Sequence, residues 1–259
     1  MWYAVAERAG LWAIRHLGDG DDQTWRYGRP LITVYIPTHN RVELLLNRAL
    51  PSVLRQSYIN IEVIVAAHGC TDGTLAEVRD IARRDYRIKW LDVPRSLHFP
   101  ATADNFWFAG RVQPANAALA MASGQWIATI DDDDMWEPDC LEKLLRAAQA
   151  NNLEFISAAA DRPDGPIAPY DVHGVKVGAL QTWMFRRYLR FMRFNPDCWR
   201  KSWNRVCDTD LQARFRQAGV RMGYLERVVA HILPRPGSTL IGLAAYRADP
   251  AATERHYAI

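Results

Sequence analysis

Lysine is scarce in this chain: Lys89, Lys143, Lys176 and Lys201 are the only four among 32 basic residues. The net charge is only +3, too small by itself to imply a nucleic-acid or membrane-surface partner. Arginine suits bidentate contacts with phosphates, but base composition can also enrich it, so the bias decides nothing alone. Cysteine is sparse. Cys70, Cys140, Cys198 and Cys207 form no C-x-x-C pair and no zinc spacing, which reads as free thiols in a reducing, cytoplasmic compartment. No apolar run reaches transmembrane length, and the N-terminus lacks a signal peptide's apolar region. Walker A, complete G-x-G-x-x-G and H-E-x-x-H motifs are missing, as are internal repeats and low-complexity tracts. The hydrophobic share of 49% fills a core and argues against global disorder.

One stretch organises what is present. Trp126 to Asp139 reads W-I-A-T-I-D-D-D-D-M-W-E-P-D. A short β-rich apolar run ends in four consecutive carboxylates, Asp131 to Asp134. This pattern predicts a buried strand whose C-terminal end carries negative oxygens, the edge at which open parallel sheets bind ligands. Adjacent carboxylates repel one another, and oxygen ligands suit hard cations such as Mg²⁺, Mn²⁺ or Ca²⁺. A solvated acidic turn is the competing reading. The EF-hand spacing is absent.

Strands and helices alternate around this stretch. Strands are expected at Leu31–Ile36 and Ile61–Ala66, ending in the polar turns Pro37-Thr38-His39-Asn40 and His68-Gly69-Cys70-Thr71-Asp72. A third strand is expected at Ile88–Val93. Helices follow at Val42–Val53, Thr74–Arg84 and about Ala115–Met121, with a loop carrying Asn105, Phe106, Trp107 and Phe108. Pro138 suits the first turn of the next helix, and Leu153–Ser157 reads as a strand. This order argues for an α/β fold with a mainly parallel sheet flanked by helices. The turns at 38–41, 68–72 and 131–134 then share one edge.

Three segments fit the pattern less closely. Trp2, Tyr3, Val5, Leu11, Trp12 and Ile14 suggest an amphipathic helix packed on its own domain, ended by Gly18–Asp22; a dimer or membrane-surface contact is the sharper option. Residues 161–178, rich in Pro and Gly, predict a long mobile loop. Trp183–Arg205 interleaves arginines with aromatics, which suits single-stranded nucleic acid, a sugar-diphosphate site, or an amphipathic helix with a solvated basic face. The amphipathic helix is the commonest fate of any one of these residues.

Taken in order, these motifs resemble the family 2 glycosyltransferases of GT-A fold, over roughly Leu31 to Ser238. Val34–Arg41 is similar to the opening strand and nucleotide loop, and Ile64–Thr74 to the second strand and its acidic turn. Asn116–Gly124 followed by Ile130–Asp134 is similar to the helix leading into the D-x-D motif. Cys207-Asp208-Thr209-Asp210-Leu211 is similar to the E-D-x-D segment. Ala67 and His68 replace the usual acidic pair, Ala115 an Arg, and Cys207 a Glu. The resemblance implies a Rossmann-like nucleotide-sugar half at 30–140 and an acceptor half at 141–240, flanked by an extension at 1–29 and a tail at 241–259. It implies a nucleotide-diphosphate sugar donor bound by Pro37, Thr38, Asn40, Arg41, His68, Asn116, Asp131 and Asp132. Mn²⁺ or Mg²⁺ would sit on Asp133 with Asp131, and His231 is a further candidate ligand. Asp208 is the expected base for an inverting transfer to a hydroxyl, with Asp210 as fallback or helix cap. Trp107 and Trp203 are stacking candidates. The acceptor stays open among a glycan, a lipid-linked sugar and a secondary metabolite, and a homodimer and peripheral membrane contact also stay open. Nucleotidyl transfer and a non-catalytic sugar- or nucleic-acid-binding module are the competing functions.

Overall fold

The computed structural model of the chain describes residues 2–17, 28–200 and 206–257, and only the backbone of residues 2–4. The expected turn at Gly18–Asp22 and the side chains of Lys201, Trp203 and Arg205 lie outside the described residues. Helix α1 (Trp2–Leu17) buries Leu11 and carries Glu7, which pairs with Arg214. It packs on its own domain, as its apolar spacing suggests.

Strand β1 (Ile32–Thr38) is followed by a helix, α2, made of Val42–Leu44, a π-helical turn Leu45–Ala49, and Leu50–Leu54. Then come β2 (Ile61–His68), α3 (Thr74–Ala82) and β3 (Ile88–Val93). Both β1 and β2 run two residues past the apolar runs that announce them, because Thr38 and Ala67 still pair in register. Asn105 to Phe108 are helical rather than looped. They belong to α4 (Ala103–Ala109), where the Thr102 hydroxyl accepts from Asn105 N at 3.3 Å and Asp104 sits in the first turn. A threonine cap and an early carboxylate both favour a helix start, and Phe106 gives it a buried face.

Helix α5 (Val112–Met121) leads into β4 (Trp126–Thr129). Strand β5 (Met135–Trp136) and helix α6 (Cys140–Ala150) follow, then β6 (Phe155–Arg162). The expected long loop is instead folded into short hairpins: β7 (Gly165–Pro166) returns on β6, and β8 (Tyr170–Asp171) pairs with β9 (Lys176–Val177). Strand β10 (Met184–Arg186) stands where an amphipathic helix was expected. The reason is a period of two rather than 3.6. Trp183 and Phe185 enter one apolar layer and Met184 the other, as strand side chains must. The arginine that follows them is buried too: Arg186 lies over the Trp126 and Tyr188 rings. Helix α7 (Cys207–Ala218) stops at Gly219, whose φ of 86° suits glycine. Strand β11 (Met222–His231) and two short helices, α8 (Leu243–Ala248) and α9 (Pro250–His256), complete the chain.

Among the described residues, nine strands form one sheet in the order β3-β2-β1-β4-β10-β6-β11-β5, with β7 on β6. The first four run parallel. β10 is antiparallel to both its neighbours, and β11 is parallel to β6. Apolar layers cover both faces. Ile32, Val34 and Ile36 point into one, Tyr35 into the other. The fold is mixed α/β of GT-A type. Among the described residues, no helix is long and apolar enough to cross a membrane.

Candidate active site

The polar ends of β1, β2 and β4 open onto one cleft of about 360 Å³, within the about 300–1,000 Å³ typical of ligand pockets. Parallel pairing alone brings these ends to one edge. Pro37, Thr38, Arg41 and His68 line the cleft, as do Asp131 to Asp134. Asn40 does not. It has φ of 49°, and its side chain accepts from Thr71 N at 2.7 Å, tying the first two loops together. Asp72 accepts from Val42 N and Thr74 N, capping two helices at once. Asn116 also lies off the main cleft, bonded to the backbone of Phe194 at 2.9 and 3.0 Å. It lines a smaller adjoining cavity together with His68. His68 is buried, and burial with nearby Arg95 pushes its pKa down to about 4, so its imidazole is neutral at pH 7.

The tetrad is not a set of free acids. Arg111 donates to Asp131 at 2.8 Å, and Gln181 holds the other oxygen at 2.7 Å. Arg41 reaches Asp132 at 2.9 Å and Asp133 at 3.3 Å. Arg235 also reaches Asp133 at 3.3 Å. Asp134 accepts from Leu233 N at 3.0 Å, and burial beside Asp133 and Asp131 raises its pKa well above the usual carboxylate range. Burial likewise lifts Asp132 to about 6, against the pull of Arg41.

The downstream loop is held from α2. Arg48 donates to the Asp133 and Pro234 carbonyls, both at 2.9 Å. Ser52 accepts from Trp136 N at 3.2 Å, and Gln56 bonds Glu137 O and Leu141 N at 2.7 and 3.0 Å.

The opposite wall comes from α7. Asp208 lines the cleft at the start of that helix and accepts from Thr209 N at 2.7 Å. Burial raises its pKa, with Arg111 opposing and Asp131 adding to the rise. A raised pKa makes the ionised form a stronger base. Asp210, two residues on, is turned by about 200° around the helix. It pairs with Arg214 at 2.8 Å, in the network that holds Glu7 of α1.

His231 lies outside the cleft lining, with Nε2 2.6 Å from Glu137 and Nδ1 2.5 Å from Asp161. Both ring nitrogens are therefore engaged. Trp107 lines the cleft; Trp203 is outside the described residues. Sequence reasoning missed Arg111, Arg235, Arg95 and Tyr257. A signal existed for Arg111: it stands one helical turn before Ala115, the position at which the resembled family carries arginine, and so shares its face. The others lie on irregular segments with no periodicity.

Compared with known proteins, the model of Glycosyl transferase family 2 matches residues 33–109 and 110–218. The chain belongs to glycosyl transferase family 2. The putative colanic acid biosynthesis glycosyl transferase WcaA of Escherichia coli K12 is 33% identical over 154 residues, covering 54% of this chain and 50% of that protein. The chain spans about half the length of some curated relatives it matches and as little as 11% of others. Among solved structures, the mannosyltransferase PcManGT of Pyrobaculum calidifontis, in complex with GDP-Man and Mn²⁺, superposes with a TM-score of 0.58 at 20% identity, covering 91% of this chain and 69% of the other. S. aureus TarS 1-349 in complex with UDP-GlcNAc gives 0.59 at 18% identity, covering 87% and 68%.

Proposed function

We propose that this protein transfers a sugar from a nucleoside-diphosphate donor to an acceptor hydroxyl, inverting the anomeric centre. The observation that supports this most is the meeting of Asp208 with the carboxylate–arginine cluster in one cleft. In the reaction, the acceptor oxygen bonds to the anomeric carbon as the bond from that carbon to the diphosphate oxygen breaks. The hydroxyl proton passes to the Asp208 carboxylate. Negative charge grows on the departing diphosphate. Arg41, Arg235 and Arg111 line its path as fixed cations in a partly dehydrated site, where such charges act strongly.

The donor set also fits a hard divalent cation. Among the described residues, the Asp133 carboxylate is held by two long contacts of 3.3 Å, and Asp131 is the other partly exposed tetrad member. No group of three or more His, Cys, Asp or Glu side chains among the described residues is arranged to hold a metal ion by itself. A cation would therefore take one or two carboxylates here and complete its shell with phosphate oxygens and water, as Mg²⁺ does. When bound, Mn²⁺ or Mg²⁺ would supply positive charge to the diphosphate; the Mn²⁺ in the PcManGT complex supports this choice. His231, whose two ring nitrogens face Glu137 and Asp161, is not assigned to that cation in this reading.

The donor side is assigned to 30–140 and the acceptor side to 141–240. Pro37, Thr38 and His68 contribute to the donor side; Asn40 and Asn116 support it indirectly by fixing the loops. The expected cytoplasmic location and hydroxyl acceptor belong to this same proposal. The test is product analysis with candidate nucleotide sugars and Mn²⁺. Release of a nucleoside diphosphate supports glycosyl transfer; release of pyrophosphate would assign nucleotidyl transfer instead.

A further inference from the structure

Tyr257, the last described residue, is among the most crowded side chains of the cleft. The rings of His39, Phe106 and Tyr246 lie near-parallel to it, with centroids 5.4, 4.9 and 5.8 Å away and interplanar angles of 21°, 22° and 10°. Arg41, from the loop after β1, donates to its hydroxyl. Arg95, from the segment after β3, donates to its backbone carbonyl. His39 lies 3.0 Å through Nε2 from the carbonyl of His256. The strap formed by α8 and α9 thus occupies an aromatic shelf and two guanidiniums beside the ends of β1 and β2.

These are the groups a nucleoside diphosphate would need: flat rings to stack on a base and cations to meet phosphate. Tyr257 imitates such a ligand, with an aromatic ring and oxygen atoms at both ends. We propose that the strap is an intramolecular competitor of the donor, so that Tyr257 fills the nucleoside's place and residues 243–257 must lift before the donor binds. This rests on the reading that the donor binds at these strand ends.

The strap is built to leave. Helix α8 buries no residue and α9 only Thr253. Besides the Tyr257 contacts and Arg235 lying 4.8 Å over the Tyr246 ring, its ties are peripheral: Arg247 with Asp104 at 2.6 and 2.7 Å, both half-exposed, and Glu254 with Ala103 N at 3.2 Å. Segments with few buried contacts open at the smallest free-energy cost. A strap docked in roughly 90% of molecules would weaken apparent donor affinity about tenfold, since only the open fraction binds.

The test is calorimetric titration of the full chain with UDP, GDP, ADP and CDP in the presence of Mn²⁺. It compares wild type with Tyr257→Ala and with Arg247→Ala, the second loosening the strap at a residue that does not line the cleft. Both variants are expected to bind the recognised diphosphate more tightly, Tyr257→Ala by about tenfold. Amide exchange over 243–256 should quicken in wild type when that diphosphate is added. Weaker or unchanged binding in both variants, or slower exchange with ligand, would overturn the competition and make the strap part of the donor site. Absence of binding in all three proteins would instead retire the donor reading, and the competition with it.

Discussion

The two walls of the cleft give their carboxylates different partners, although burial raises the pKa of Asp132 and Asp134 on one wall as it does that of Asp208 on the other. On the strand-end wall, Asp131, Asp132 and Asp133 are each met by arginine. On the helical wall, Asp208 is bonded to Thr209 N, and burial leaves it with an elevated pKa. A carboxylate bonded to guanidinium has its oxygens engaged and serves as part of a charge template. A desolvated one with few donors is suited to taking a proton. The difference separates roles that residue type alone leaves merged. It also separates Asp208 from Asp210, which share a helix turn but not a partner.

The sharpest way to break this contrast is Asp208→Asn. It removes the proposed proton acceptor and is expected to lower the turnover rate by about 10²–10⁴-fold with donor binding nearly unchanged. Asp210→Asn is expected to leave turnover near wild type and to cost stability on the order of 1–3 kcal/mol through its Arg214 pair. Denaturant titration beside a turnover assay reads both. Equal kinetic losses in the two variants would erase the distinction.

A second large effect concerns the scaffold between the walls. Phe185, on the inserted strand β10, is fully buried against Phe215 of α7. Phe185→Ala should destabilise by about 3–5 kcal/mol, measured by urea unfolding. On the strand-end wall, Asp133→Ala is expected to lower turnover by roughly 100-fold, on the scale of several kcal/mol supplied by charge stabilisation, and to abolish its dependence on added Mn²⁺. Activity unaffected by excess chelator in wild type would contradict that assignment.

The smallest effect is a pH dependence set by His68 at the strand ends and His256 in the strap. His68 and His256 are both pushed down to about 4, by burial and by nearby arginines and His39. Their unfolded forms titrate near 6.5, so the unfolded chain binds protons first as pH falls. The stability contributed by keeping them neutral is present above about 6.5 and is lost as pH drops towards 4. The unfolding midpoint should therefore be lower at pH 5 than at pH 7, and His68→Gln should flatten that slope.

The parallel half was legible because its strands are short apolar runs that stop at polar turns. Trp126–Thr129 ending near Asp131 is the plainest case, and topology then places the turns together. Asp208 was legible only through family resemblance, since nothing in its spacing tells a base from a helix cap. Strand β10 was misread because Arg186 and its aromatic neighbours also suit a solvated helix. Its burial arises from tertiary pairing with β4 and β6, which local pattern does not carry. Arg95 and Arg235 were hidden for the same reason, although Arg41 was not: Arg235 sits in a Pro-rich loop whose path is set by contacts far away in sequence.

The π-helical turn in α2 has one further consequence. Arg48 lies inside that turn, Ser52 follows on the same helix and Gln56 just past its end, and together they splint the segment from Asp133 to Leu141. The wider turn sets the rotational phase of everything after it. Excising one residue there would restore ordinary α-winding and swing Ser52 and Gln56 by about 100° relative to the residues before the turn. The carboxylate loop would then lose its keel while every acidic side chain remained in the chain.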